Sequence, residues 1–166
     1  NTETDQIVDK WVDQLKDVRN DNEREETQHV TVLGKKKKIR TEATMGLVSY
    51  SFDIEIYDDE TDALESVFCI SIPFNDETKA EIYHRKVKSE RRQGLGTYNI
   101  NLIKAFLTKV AKEQNKPITI SLETDQEDVM GLSRSCGFSE RPVYDRFTSK
   151  EIGKHFELEV GGDQDS

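Results

Sequence analysis

The chain has 166 residues, with 24 Lys and Arg against 33 Asp and Glu, a formal charge of −9, and 34% hydrophobic and 34% charged residues. That is one domain of ordinary size with enough apolar residues for a core; no run approaches the roughly 18 apolar residues of a membrane span, and no signal-peptide pattern is present. The acid excess speaks against general nucleic-acid binding, which needs a basic footprint, and favours cationic partners.

The chain opens on Asn1 rather than Met, as a trimmed chain does. Ile7, Trp11, Leu15 and Val18 recur at helical spacing and predict an amphipathic N-terminal helix. A polar linker, Asn20 to Thr27, follows. His29 to Leu33 alternates as a short strand, and Gly34 turns it into Lys36 to Thr41 as a hairpin. The run Lys35 to Lys38 reads as the solvated tip of that hairpin or as an edge strand guarded by lysines, in preference to a nucleic-acid patch. Gly46 to Tyr57 and Leu64 to Phe74 are rich in Val, Ile, Phe and Tyr and predict strands joined by a turn at Asp58 to Asp62. Lys79 to Lys88 is a fifth strand of unusual charge. A helix from Gly96 to Gln114, a buried strand from Pro117 to Glu123 and a helix from Gln126 to Ser135 come next, the last stopping at Gly137. Val143 to Thr148 and His155 to Val160 close the chain as strands, before a disordered tail from Gly161 to Ser166. Cys69 and Cys136 lie in apolar contexts, as expected of reduced thiols in a cytoplasmic protein. The order predicts a single α+β domain over residues 1–160, a mixed and mostly antiparallel central sheet flanked by helices.

Charge is unevenly distributed. Between Arg85 and Arg92 stand five cations (Arg85, Lys86, Lys88, Arg91, Arg92) against Glu90, whereas Asp53 to Glu65 holds seven acids and no base. The basic district runs into Gln93-Gly94-Leu95-Gly96, where a strand hands over to a helix. Successive backbone N–H groups at a helix N-terminus, with the helix dipole behind them, bind anions, and glycines let a phosphate approach the backbone. Ile100, Ile103, Phe106, Leu107 and Val110 form the stripe that would anchor the helix on the sheet. The junction is not a dinucleotide fingerprint, because Asn99 stands where a third glycine belongs. It lacks the Gly-Lys-Ser/Thr of a P-loop, and the downstream motifs of a protein kinase are absent.

Arg91-Arg92-Gln93-Gly94-Leu95-Gly96 resembles the Arg/Gln-x-x-Gly-x-Gly/Ala loop of the GCN5-related N-acetyltransferases. The context agrees with that family: a strand before, a helix after, then the strand Ile118 to Leu122 and a helix end at Leu132 to Phe138 that resembles its Leu-Gly-Phe turn. The match spans Lys79 to Phe138.

The resemblance implies that acetyl-coenzyme A is the cosubstrate, its pyrophosphate held by backbone amides from Arg92 through Gln93, Gly94, Leu95 and Gly96 to Thr97, with Arg91 and Arg92 adding charge-assisted contacts. The strand backbone at Lys86, Val87 and Lys88 would pair with the pantetheine arm, and the Val87 N–H would stabilise the oxyanion. The acceptor amine must lose a proton. Glu81 and His84 are the nearest candidates for that base, and their opposite parity puts them on opposite sides of the sheet, so both cannot serve. The family's tyrosine acid is replaced by Ser133; Tyr144 either substitutes for it or is a core tyrosine. The family also inserts two helices between its first two strands, whereas here one helix precedes all strands. The implied activity is direct acetyl transfer to a cationic primary amine: a protein lysine, a protein N-terminus or a polyamine. Two alternatives stand beside it. One is a catalytically degenerate module of this fold that binds acyl-coenzyme A or a protein partner; the other is an acidic interaction protein that merely shares the fold. Neither a membrane nor a nucleic-acid partner is expected.

Overall fold

The computed structural model describes residues 2–20, 24–85 and 94–162. Helix α1 (Thr2–Arg19) leads into five antiparallel strands: β1 (Arg24–Val32), β2 (Lys35–Met45), β3 (Ser49–Asp58), β4 (Leu64–Pro73) and β5 (Lys79–Arg85). Helix α2 (Leu95–Gln114), β6 (Ile118–Thr124), helix α3 (Glu127–Ser135), β7 (Ser139–Tyr144) and β8 (Glu151–Val160) complete the chain. The strands form one eight-stranded sheet in the order β1-β2-β3-β4-β5-β6-β8-β7. Among the described pairings only β5 with β6 is parallel.

The helices all lie on one face. The crossovers β5–α2–β6 and β6–α3–β7 both advance in the same direction along the sheet, and right-handed connections put both helices on the same side. Leu132 of α3 packs on Gly96 of α2, and Lys104 Nζ donates to the Cys136 carbonyl at 2.8 Å. Helix α1 seals the other end: Trp11 is fully buried, its ring 5.6 Å from Phe52 of β3 and 5.7 Å from Phe106 of α2. Period-2 alternation is clear in β2, β3, β5 and β6. Ile39, Phe52, Ile54, Ile56, Phe68, Ile70, Ala80, Ile82, Ile120 and Phe156 point into this layer. Arg40, Asp53, Glu55, Glu81, Tyr83 and His155 occupy the alternate positions and form a polar face, half-buried or exposed, that no helix covers among the described residues.

Three expected boundaries move. The polar stretch read as a linker is strand from Arg24 onward, because Arg24 to Thr27 pair with Ala43 to Arg40 of β2. The strand expected at Val143 to Thr148 is β7 at Ser139–Tyr144. Residues 145–149 are a turn in which Asp145 accepts from the Phe147 and Thr148 N–H groups at 2.8 Å each. The lysine run is a solvated tip only at Lys35 and Lys36, exposed beside the Leu33–Gly34 turn, and it is no edge, since β1 is the edge and β2 lies inside it. Lys37 is 2% exposed, its Nζ 2.6 Å from Glu65 and 3.6 Å from Asp58. In the region expected to be tail, Gly161 is packed on α2, where a Cβ would stand 2.3 Å from that of Ala111.

Candidate functional site

The strand pair at the centre of the sheet opens. β5 matches β6 only over Lys79–Thr119, Ala80–Ile120 and Glu81–Ser121, so the register between the two strands ends at Glu81. A cleft of about 310 Å³ lies there, lined by Glu81, Ile82, Tyr83, Ser121, Leu122, Glu123 and His155. Helix α2 begins after Gly94. Gly94 is left-handed, with φ 77 and ψ 2, and no side chain caps the helix. Its carbonyl accepts the Tyr98 N–H at 3.0 Å, so the helix is wound from its first turn. Lys86, Val87, Lys88, Arg91, Arg92 and Gln93 lie outside the described residues; Gly94, Leu95, Gly96 and Thr97 lie at the helix N-terminus as expected from the sequence.

Glu81 and His84 fall on opposite faces. Glu81 is on the polar face and lines the cleft, where the Tyr83 hydroxyl donates to its Oε2 and Oε1 has no hydrogen bond among the described residues. That bond and partial burial push the Tyr83 phenol up to about 12, so it stays protonated at neutral pH. His84 lies on the helix side, half-buried, its ring 5.0 Å from Phe68. Tyr144 is not brought to the cleft: it is 60% exposed at the end of β7, with β8 between it and β6. Nor is it a core tyrosine. Ser133 is fully buried and its hydroxyl donates to the Val129 carbonyl of its own helix at 2.8 Å.

One group at the cleft escaped the sequence reading. His155 on β8 stands opposite Glu123 of β6, its Nδ1 3.0 Å from Glu123 Oε1 and its Nε2 2.8 Å from Glu157 Oε1. Opposite it on β7 is Arg141. His155 reads as an ordinary strand residue until β6 and β8 are known to be neighbours, and the only sequence signal is its alternation with Phe156.

The acidic hairpin, by contrast, is partly neutralised. Lys38 Nζ is 2.5 Å from Asp62, His29 Nδ1 is 3.2 Å from Asp59, and Arg40 Nη1 is 2.5 Å from Glu55. Asp58 accepts from the Glu60 and Thr61 N–H groups at 2.9 Å each, which holds its carboxyl below the usual range. These acids pair with the lysine run and cap their own turn. The carboxylates at the cleft, Glu81, Glu123 and Glu157, have fewer cations beside them.

A mixed sheet whose parallel pair parts beside a glycine-opened helix defines the acyl-coenzyme A N-acyltransferase class of α+β folds. The fold is that of the GCN5-related N-acetyltransferases, and solved structures agree. Spermidine N-acetyltransferase from Vibrio cholerae, in complex with coenzyme A and spermine, superposes with a TM-score of 0.50 at 15% identity, over 66% of this chain and 64% of that one. Ribosomal-protein-S5-alanine acetyltransferase from Vibrio fischeri gives 0.51 at 14% identity, over 68% and 63%. The Salmonella typhimurium acetyl transferase that modifies the N-terminal serine of a 50S ribosomal subunit protein gives 0.50 at 11%, over 66% and 64%. The chain thus spans just under two thirds of the length of each of these neighbours. No protein-family profile matches the sequence, and no curated protein matches it either.

Proposed function

We propose that the protein is an acyl-coenzyme A-dependent N-acetyltransferase that acetylates a primary amine of a cationic acceptor by direct transfer. The observation that carries this reading is the parting of β5 from β6 beside the left-handed Gly94 at the start of α2. The residues present fit the cosubstrate. The β5 backbone just past Glu81, where its register with β6 ends, offers groups to the amides of a pantetheine arm, and an uncapped helix start offers N–H donors to a diphosphate. Arg91, Arg92 and the backbone from Lys86 to Lys88 would complete that binding, with the Val87 N–H placed for the oxyanion. The bound cosubstrate supplies an activated thioester carbonyl. Glu81, which lines the cleft with Tyr83 fixing its Oε2, takes the proton of the acceptor ammonium.

The acceptor side is the polar face of the sheet, where Glu81, Glu123 and Glu157 favour a cation. Spermidine and a protein N-terminal serine, the acceptors named for two of the neighbours, both present an amine that is cationic at neutral pH. A second reading, a module of this fold that binds the coenzyme without turning it over, is favoured by Ser133. Its hydroxyl is buried on a carbonyl and cannot protonate a leaving thiolate.

Calorimetric titration with acetyl-coenzyme A tests the shared part of both readings, and binding is expected. Turnover on a panel of polyamines and peptides then separates them: acetylation of at least one amine supports the enzyme, and tight binding with no turnover on any supports the module.

A further inference from the structure

We propose that the outer edge of β1 is an interface, on which a second copy of this chain lays its own β1 antiparallel about a two-fold axis at Gln28. The two edges of the sheet are built differently. β7 is six residues long, holds Pro142 and shifts register between Val143 and Tyr144, all features that keep an edge from pairing. β1 is nine residues long, without proline, glycine or lysine, and its register with β2 runs unbroken from Arg24 to Val32. No strand pairs with its outer side among the described residues. The turn shows which backbone groups are left over. Val32 and Lys35 close a two-residue turn as a hydrogen-bonded pair, while the Lys36 carbonyl turns to the other side and accepts the Asp59 N–H at 3.2 Å. Alternation from Val32 leaves the N–H and C=O of Glu25, Thr27, His29 and Thr31 pointing outward.

The middle residue of the strand selects the occupant. Gln28 lies on the helix side, 9% exposed, and neither atom of its amide has a hydrogen-bond partner. Buried amides are rarely left so. The residue lines a groove of about 690 Å³ between β1 and α1, together with Glu3, Ile7, Asp9 and Lys10, which therefore presents both signs of charge to its copy. Any extended peptide could fill the backbone positions of the edge. Only a partner with an amide at this point satisfies Gln28, and the two-fold places one there. Gln28 then faces Gln28 of the second copy as a non-hydrogen-bonded backbone pair, the kind in which side chains stand closest, with Cα atoms about 4.5 Å apart. Turned to each other, each amide donates to the other's oxygen. The rest of the register is compatible with itself. Thr27 faces His29, Glu25 faces Thr31, Glu26 faces Val30 and Arg24 faces Val32, so no like charges are opposed. The outward groups of Thr27 meet those of His29, and those of Glu25 meet those of Thr31, twice over by symmetry.

The test is sedimentation velocity of the wild type, Thr27→Pro, Thr31→Glu and Thr31→Lys over a range of concentrations, with the melting temperature of each. The wild type should sediment as a dimer at micromolar concentration. Thr27→Pro deletes an N–H that β2 does not use, and proline is tolerated on an edge strand with its nitrogen outward. The monomer should therefore keep its fold while dimerisation weakens at least about tenfold. Thr31 is exposed opposite Lys36, so a charge there stays in solvent in the monomer. In the dimer Thr31→Glu sets a carboxylate opposite Glu25 and should weaken association about threefold, whereas Thr31→Lys sets an ammonium there and should strengthen it about threefold. Should Thr27→Pro melt well below the wild type, the opposed responses of the two Thr31 variants decide. A wild type that stays monomeric at about 100 μM overturns the proposal. So does a dimer that none of these changes touches, because its contact then lies on another surface.

Discussion

Gly94→Asp should leave the fold standing and abolish coenzyme binding. At φ 77 and ψ 2 a side chain costs on the order of 1–2 kcal/mol, and aspartate is among the residues that tolerate the region best. Its Cβ would meet Leu33 Cδ1 at 3.0 Å, the flexible end of an exposed side chain that can give way. A carboxylate at a helix N-terminus returns about 0.3–1 kcal/mol through the dipole. These terms nearly offset, so the free protein should melt within about 4 °C of the wild type, at about 2–4 °C per kcal/mol for a chain of this size. Binding has no such compensation. A carboxylate about 4 Å from a phosphate charge, at an effective dielectric of about 20, opposes it by about 4 kcal/mol, or close to a thousandfold in Kd. Gly94→Asn separates shape from charge, since it has the same size and tolerates the same backbone; it should bind within about tenfold of the wild type. Calorimetry with acetyl-coenzyme A, alongside melting of the free variants, reads both quantities. If Gly94→Asp binds as the wild type does, the diphosphate is not held at the start of α2.

Lys37→Met should destabilise the fold by about 3–5 kcal/mol in urea unfolding, because it strands the buried Glu65, and Lys37→Met with Glu65→Leu should recover most of the loss. Equal stability of the single and double variants would show that the pair is not coupled. Cys69, pushed up to about 11 by burial, keeps its proton in the folded state well above the pH at which an unfolded thiol loses it. It should react with iodoacetamide at pH 8 about tenfold more slowly than a free cysteine, after its greater thiolate nucleophilicity offsets part of the lower thiolate fraction. By the same linkage its contribution to stability is fully present below about pH 9 and is lost as pH rises through about 11, which Cys69→Ala should remove from an alkaline unfolding profile. Glu81→Gln should lower kcat by 10²–10⁴-fold, the range of a general base, with the Kd of acetyl-coenzyme A unchanged; a loss under threefold would assign the proton to another group.

The elements with a clean apolar pattern were legible. Phe52, Ile54 and Ile56 alternate, Ile100 to Val110 recur at helical spacing, and a helix opens after Gly94. What stayed hidden depends on neighbours in space. Arg24 to Thr27 look like linker because an edge strand on a polar face needs few apolar residues, and β7 is hard to see because nearly all of it is exposed. Lys37 disappears into a run of lysines, yet it shares parity with Ile39 and Thr41, and alternation alone would have turned it inward. Glu123, His155 and Glu157 come from two strands whose adjacency is a matter of topology, so no local pattern could unite them.

The same dependence on neighbours decides where a cationic acceptor should approach. Counting charges along the chain points to the hairpin from Asp53 to Glu65, but a charge acts through its unpaired remainder. Lys37, Lys38 and Arg40 stand within ion-pair distance of Asp58, Glu65, Asp62 and Glu55. Such pairs leave mainly dipolar fields, which fade faster than a net charge and are screened within about 8 Å at physiological salt. At the cleft Glu81 has a phenol for its partner, and Glu123 and Glu157 share a single imidazole, with Arg141 further out on β7. An unpaired negative field therefore also lies where β5 and β6 part. No helix covers that face among the described residues. An acceptor reaching Glu81 would meet side chains borne on strands rather than a helical wall, so its selection rests on the charge of those few residues. Neutralising Glu123 should then weaken acceptor binding more than neutralising Asp62, although Asp62, paired with Lys38, sits in the more acidic stretch of sequence.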